Sequence, residues 1–518
     1  MRTRSILASV AVLLLSGCAS NIQWRDSSAT KQSKLPHSST GTYLDIEHYR
    51  TTLYSEPGMQ RSDAQHATER RHAIAYIEFD EQGDYIDRNQ LVDAINNIPT
   101  GPNRLIVFYA HGWQNNTRSA DVAQFNALLA HLAHTLNEKG QNQGKAIPWQ
   151  VYGIYLGWRG ALYNPSDIYP PQPLNQVCSI ESILNKPRPS QFNTLASIPK
   201  QFTFWSRKNA AGRFAGAPLL EAINMISARA RTAGSPRETK TILIGHSFGA
   251  YVIEKTVLQS ISTSPPQMAD NQTMYITPPA DLVILLNSAA PAIYAKEFIE
   301  FLKWHSVSRD QPPFVISVSS EGDWATKDLF PAGTILASAF DVGSYRSKDT
   351  YNGANEKTFF THTPGHTDYL ASFDAYPTGK DPYDQFESDY KYEWIFYRNF
   401  FPRDFQKTDP FFLAWGGNLA KTGDPAPAQI WQLQPTRAAD PTQIPFNDTP
   451  YWLVRVPKAI IADHGDVWCP NSMNLLTALI RLSKIADSGP TLRTIKLLPE
   501  KAPTNDQLVP LLRYGKDH

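Results

Sequence analysis

Apolar positions along the chain fall into short runs separated by polar, glycine-containing turns. Residues 104–109 (RLIVFY) are a continuous apolar run, and 71–79 (RHAIAYIEF), 149–156, 241–244, 281–286 and 314–319 are further β-like runs of strand length. Such runs suit strands covered on both faces. Between them the period changes. Ser119 reads as an N-cap, and after it Val122, Phe125, Leu128, Leu129, Leu132 and Leu136 share one helical face. Residues 221–231, 250–261, 293–304 and 474–485 read as further helices. Residues 452–461 are β-like but contain Pro457, which predicts an edge or bulged strand. Strand and helix alternate, so the expected class is α/β, with a mostly parallel central sheet and helices on both faces.

Two stretches break this rhythm. Residues 160–201 are rich in Pro, Asn and Ser, and residues 340–449 carry aromatics, Pro and Asp with weak periodicity. A structureless loop of that length is rare inside a compact domain. Both are therefore expected as insertions over the C-terminal edge of the sheet. The remainder, residues 71–490, reads as one domain, followed by a tail over 491–518.

Residues 1–17 form a separate pattern. Arg2 and Arg4 precede a ten-residue, largely apolar stretch, Ile6 to Leu15. It is too short for a helix across a bilayer core of about 30 Å. Leu15-Ser16-Gly17-Cys18 follows and resembles the lipobox of bacterial lipoproteins. That resemblance implies cleavage before Cys18 and lipidation of its thiol. No Asp follows the cysteine, which by bacterial sorting rules implies the outer membrane, facing the periplasm. Residues 18–70 are polar and are expected to be a tether and approach segment.

Charge narrows the partners. The chain carries 49 Lys and Arg against 48 Asp and Glu, a net +1. Loss of residues 1–17 with Arg2 and Arg4 turns this to −1. Neither value suits a nucleic-acid partner. The three cysteines exclude a disulfide scaffold. With Cys18 as the anchor, Cys178 and Cys469 remain, either as separate thiols or as a pair formed in an oxidising compartment.

The candidate chemistry centres on Gly245-His246-Ser247-Phe248-Gly249. The pattern G-x-S-x-G gains meaning from its surroundings: a strand runs into it and a helix leaves it, the order a nucleophile elbow requires. A serine hydroxyl needs a base, and the base needs an orienting acid. Residues 314–319 lead into Glu321-Gly322-Asp323, and Asp323 is favoured as the acid over Glu321. Residues 452–461 lead into Asp463-His464, and His464 is favoured as the base over His366, with His362 weaker. His246, beside the nucleophile, is expected to pack. Strand 104–109 ends in His111-Gly112-Trp113, so the Trp113 N–H, or that of Gly112, and the Phe248 N–H are the expected oxyanion donors. Arg159 reads either as a clamp for a substrate anion or as the partner of a buried acid.

Together these segments resemble the serine α/β-hydrolase superfamily. They are similar to bacterial α/β-hydrolases with an early His-Gly-aromatic segment and a Gly-His-Ser-x-Gly elbow. Gly157-Trp158-Arg159-Gly160, the segment from Phe204 to Lys208, and His464-Gly465-Asp466-Val467-Trp468 look like further signatures of that group. The resemblance implies an α/β-hydrolase fold, cleavage of a carboxylic ester through an acyl-enzyme, and no metal or organic cofactor. The expected substrate is an ester-containing small molecule or lipid, a phospholipid among them. Acyl transfer, amide hydrolysis and a non-catalytic envelope binding protein are the alternatives. The resemblance names no substrate, because the fold hosts many.

Overall fold

The structure is a computed structural model. It describes Gln23 and Arg25, most of residues 72–160, residues 197–331 with short breaks, and stretches within 334–377, 411–415, 429–435, 451–480 and 495–497.

The strands of the main sheet are β1 (His72–Glu78), β2 (Asn103–Ala110), β3 (Gln150–Gly157), β4 (Glu238–His246), β5 (Leu282–Leu286), β6 (Val315–Ser320), β7 (Phe373–Pro377), β8 (Phe411–Trp415), β9 (Gln429–Pro435) and β10 (Tyr451–Val456). Their lateral order is β1-β3-β2-β4-β5-β6-β10-β7-β9-β8. The first seven in that order are all parallel. The expected α/β class with a parallel sheet is therefore what the chain builds.

Alternation along the strands sends side chains to two cores. Ile106 and Phe108 enter one, while Leu105, Val107 and Tyr109 enter the other. On the first face lie α1 (Asn89–Asn96), α2 (Ser197–Phe214), α3 (Ala217–Thr232), α4 (Phe248–Thr263) and α5 (Ala292–Lys303), contributing among others Leu91, Phe214, Ile223, Val252 and Phe298. On the second lie the helical residues between 121 and 136 and between 475 and 480, contributing Phe125, Leu128, Leu129, Leu476 and Leu479. At about 25 cal/mol per Å² of apolar area, two cores of this extent hold the sheet from both sides.

The expectations differ from the structure in several places. Helices α1 and α2 are not among the expected elements; α1 is amphipathic and buries Leu91 and Ala94, whereas α2 is a weakly amphipathic helix whose interior carries Lys, Arg and Asn. Ser119 does not cap its helix: its Oγ accepts from the Asn116 N–H at 3.3 Å and donates to the Asn116 carbonyl at 2.8 Å. Strand β10 is not at an edge. It ends at Val456, before Pro457, and pairs with β6 on one side and β7 on the other. Within 340–449, expected over the sheet's C-terminal edge, β7, β8 and β9 instead extend the sheet sideways. The short helix α6 (Glu356–Thr361) and the turn Pro364–His366 do lie at that edge, where Gly365 packs on Ser319. Part of the expected tail, Ile495–Leu497, pairs with Met274–Ile276 in a separate four-stranded antiparallel sheet. Most of the 160–201 stretch, Pro457, Cys18, Cys178 and Cys469 lie outside the described residues.

The topology also locates a crevice. After β2 the chain moves to β3 on one side, and after β3 it returns across β2 to β4 and on to β5. Strands β2 and β4 are neighbours whose outgoing connections diverge. In open parallel sheets the C-terminal ends of such a pair leave a cleft between them.

One buried acid makes the fold sensitive to pH. Glu254 of α4 is fully buried, and its Oε1 accepts the Tyr451 hydroxyl at 2.6 Å. Its Oε2 has no partner among the described residues. Burial pushes the carboxyl up to about 7. A folded-state value above the unfolded one stabilises the fold at low pH, and that stability is lost as pH rises toward 7. Glu254→Gln should therefore melt at the wild-type temperature near pH 4, but higher than wild type by roughly 2 °C or more at pH 8. Calorimetry at the two pH values checks this.

Candidate active site

Strand β4 delivers Ser247 to the cleft through a strained turn. Ser247 has φ 58° and ψ −120°, and helix α4 begins at the next residue. Among the described non-glycine residues only Ser247 and Asn287 have positive φ. Such a conformation costs about 1–3 kcal/mol and persists only where its surroundings enforce it. They do so here. The Ser247 N–H donates to the Leu286 carbonyl at 3.0 Å, and its carbonyl accepts from Ala250, Tyr251 and Ala289 at 3.1, 3.3 and 3.1 Å. Helix α4 can start this close to β2 only because residue 249 has no side chain. A Cβ there would stand 1.9 Å from the Ala110 carbonyl oxygen.

Two loops bring partners to the hydroxyl. His464 follows β10, and its Nε2 lies 2.7 Å from Ser247 Oγ. Its Nδ1 lies 2.8 Å from Asp323 Oδ2, and Asp323, just past β6, has no exposed surface. The same carboxylate accepts the Thr326 hydroxyl at 2.6 Å and the Thr326 N–H at 3.1 Å. Burial alone would raise the Asp323 carboxyl, but the charge of His464 and the hydrogen bonds from His464 and Thr326 hold it below its ordinary value. Burial alone would lower the His464 imidazole, but the charge and hydrogen bond of Asp323, with Asp463 nearby, raise it. An ionised Asp323 can only accept, so the proton sits on Nδ1 and Nε2 is left to accept from Ser247. This is the arrangement in which an imidazole can take a serine proton and the acid can stabilise the resulting cation.

The histidine's backbone is clamped as firmly as its ring. The His464 carbonyl accepts from His246 Nε2 at 2.9 Å and from Asn287 Nδ2 at 3.1 Å. A carbonyl can only accept, so His246 carries its proton on Nε2. Burial pushes its imidazole down to about 3, which keeps it neutral. Asn287, one residue past β5, also accepts the Ser320 N–H at 2.9 Å and thereby ties the acid-bearing loop to the histidine-bearing loop. Sequence reasoning missed Asn287. An Asn directly after an apolar strand, at a point where the chain must turn at positive φ, was the available signal. Further along, Trp468 Nε1 donates to the buried Asp121 at 2.9 Å, and the Tyr155 hydroxyl donates to its other oxygen at 3.2 Å. That network anchors the histidine loop to β3 and to the start of the helix over 121–136, within the second core.

The opposite wall is the end of β2. Gly112 lies against Ser247: a Cβ there would sit 2.8 Å from Ser247 Cβ. His111 is buried and neutral, with burial pushing it down to about 4. Its Nδ1 donates to the Gly112 carbonyl at 2.9 Å, and its Nε2 accepts the Trp158 N–H at 3.1 Å. The Gly112 carbonyl and the Trp113 N–H belong to one planar peptide and point in opposite directions. Holding the carbonyl therefore fixes the direction of the N–H. Phe248, as the first residue of α4, has no carbonyl one turn back to receive its N–H. Beside them Phe204 packs on Phe248 (ring centroids 4.8 Å), Trp113 (5.6 Å) and Phe330 (6.3 Å), an aromatic cluster in which Phe248 and Phe330 are fully buried.

The other candidates lie elsewhere. Glu321 is exposed, and its N–H donates to the Val456 carbonyl. His366 does not reach Ser247. Its Nε2 sits 3.1 Å from Thr326 Oγ1, the hydroxyl that donates to Asp323, so His366 supports the acid from behind. His362 bonds Thr361 Oγ1 through Nδ1. Arg159 lies 3.5 Å from Glu81, which also receives two hydrogen bonds from Arg207 at 2.8 and 3.3 Å. Among the described residues no three His, Cys, Asp or Glu side chains are grouped to hold a metal. Comparison of the chain with protein-family models, curated proteins and solved structures finds no match. The chemistry of the site therefore stands on its own geometry.

That geometry sets a pH dependence. Covalent capture of Ser247 by a fluorophosphonate requires neutral His464. Its labelling rate should rise with pH along a limb centred above 6.5, the ordinary histidine value. In Asp323→Asn the raising influences are gone while burial remains, so the limb should move to lower pH and the plateau should drop at least a hundredfold. His366→Ala, folded, should keep the limb and a rate within about tenfold. Stopped-time labelling across pH 5–9 measures all three.

Proposed function

We propose that this chain is a serine hydrolase of α/β-hydrolase architecture that cleaves carboxylic esters through an acyl-enzyme. The observation that carries the proposal is the continuous chain of bonds Asp323–His464–Ser247, at 2.8 and 2.7 Å, with Ser247 on a strained strand-to-helix turn. In the first step His464 Nε2 takes the Ser247 proton while Oγ attacks the ester carbonyl. Asp323 holds the imidazole in its working tautomer and stabilises the imidazolium. The N–H groups of Phe248 and Trp113 receive the oxyanion, helped by the positive end of α4. His464 then protonates the leaving alkoxide, and the alcohol departs. Water, deprotonated by the same imidazole, attacks the acyl-serine and returns the free acid and the hydroxyl.

In this reading Cys18 is the lipidated N-terminus of the mature protein, which anchors the enzyme at the outer membrane facing the periplasm. Acyl transfer to an alcohol or amine would use the same first step.

Protein lacking residues 1–18 should be labelled by a fluorophosphonate, and Ser247→Ala should abolish labelling. A p-nitrophenyl ester series from acetate to palmitate should show turnover that falls by about 10⁴ or more in Ser247→Ala. Labelling that survives the substitution would remove Ser247 from its role. A binding protein of the same fold would show no turnover across the series.

A further inference from the structure

The polar stretch after Cys18 is not wholly detached from the body. Arg25, seven residues beyond that cysteine, is seated in a socket built from β1, the start of α1 and the loop after β2. Its guanidinium donates twice to the Thr117 carbonyl, from Nε at 3.1 Å and Nη2 at 2.8 Å. The guanidinium also lies 4.3 Å from the centre of the Tyr76 ring, a cation–π distance. Its backbone N–H donates to Glu78 Oε2 at 2.9 Å, and its carbonyl accepts from Gln90 Nε2 at 2.7 Å. Gln23 adds a bond to Asp87 at 3.3 Å.

Glu78 explains why the socket needs an occupant. Its carboxylate is 1 % exposed, and Thr117 Oγ1 at 2.5 Å and Gln90 Nε2 at 3.0 Å join the Arg25 N–H as its donors. A buried carboxylate is costly unless its oxygens are satisfied. Withdrawing Arg25 would remove one donor from Glu78 and expose the socket.

The position of the socket matters more than its strength. Glu78 closes β1, and Thr117 lies beyond the end of β2, so both are at the C-terminal edge of the parallel sheet. Ser247, at the end of β4, and His464, after β10, are at the same edge. Seven extended residues span at most about 25 Å. A lipid on Cys18 would then hold this edge close to the headgroups, while the opposite edge, a strand length of about 25 Å away, faces outward. Without the socket, this limit of about 25 Å between Cys18 and the edge is lost.

We propose that the Arg25 socket docks the lipid-bearing end of the chain on the catalytic edge, so that the Ser247 cleft faces the bilayer and draws its ester from that bilayer. This proposal rests on the lipid-anchored hydrolase reading above.

The test uses the full lipidated chain in phosphatidylcholine vesicles carrying a headgroup-region quencher. An environment-sensitive fluorescent amino acid replaces Gln82, exposed on the turn after β1, or Asn97, exposed at the opposite edge. Position 82 should be quenched several-fold more than position 97, and Arg25→Ala should erase the difference. Arg25→Lys, which loses the double donation but keeps the charge, should reduce it. Equal quenching in the native chain, or a difference that survives Arg25→Ala in a folded protein, overturns the proposal. The activity arm is separate. Arg25→Ala should leave turnover of dissolved p-nitrophenyl acetate within about twofold but lower hydrolysis of a vesicle-borne ester lipid about tenfold. An equal fall in both overturns the orientation role. The expected quenching without turnover of any ester refutes the hydrolase reading and leaves the dock standing. A chain that fails to join vesicles refutes the anchor, and the proposal falls with it.

Discussion

Helix α4 begins one residue after Ser247 and lies so near β2 that residue 249 has no room for a Cβ. That close approach is the constraint on which the rest of the site depends. It forces Ser247 to positive φ, which lifts its hydroxyl out of the sheet plane and sets the first turn of α4 beneath it. The strain is held by four backbone hydrogen bonds to Ser247, from β5, α4 and the turn after β5. The same strands that bury the two cores therefore also supply the atoms that keep Ser247 in an unfavourable conformation. Core burial and site geometry are not separable here.

The histidine is treated differently. It sits on a loop, where a side chain would ordinarily have rotational freedom. Its carbonyl is gripped by His246 and Asn287, its ring by Asp323 and Ser247, and its loop by the Trp468–Asp121 bond. Three histidines near one another could have shared charge. Burial outweighs every raising influence at His246 and His111 and keeps them neutral, whereas at His464 the charge and hydrogen bond of Asp323 outweigh burial and raise the imidazole. A buried dyad of ordinary histidines thus serves as scaffold, and the titration that matters is confined to one ring.

The C-terminal edge of the sheet collects nearly everything with polar consequence. The Ser247 cleft, the Asp323 and His464 loops, the Glu81 cluster with Arg159 and Arg207, and the Arg25 socket all lie there. In a parallel sheet every strand points its C-terminal end the same way, so loops that leave those ends share one surface. The divergence of the β2 and β4 connections opens the cleft in that surface. The Arg25 socket lies a few strands away, at the β1 side.

Much of this was legible in the chain itself. Continuous apolar runs such as 104–109 marked buried parallel strands because a strand covered on both faces has no polar face to show. The order strand, Gly-x-Ser-x-Gly, helix marked Ser247, and the two later strand ends marked Asp323 and His464, because a parallel sheet must bring successive strand ends to one edge. Other features left no local trace. Helix α2 has little amphipathic period, and β7, β8 and β9 lie in a stretch whose periodicity is weak. The roles of His366, Asn287 and Arg25 could not be read from residue type. An imidazole, an amide and a guanidinium each bond many partners, and the partner is chosen by what the fold places within 3 Å. The sequence by itself determined the strands of the parallel sheet, several of its helices and where the chain turns at Ser247. Only the tertiary structure decided which histidine meets the serine, which one backs the acid and where the Arg25 segment docks. Those choices depend on contacts between residues some 40 to 220 positions apart, such as His464 with Ser247, which no local pattern encodes.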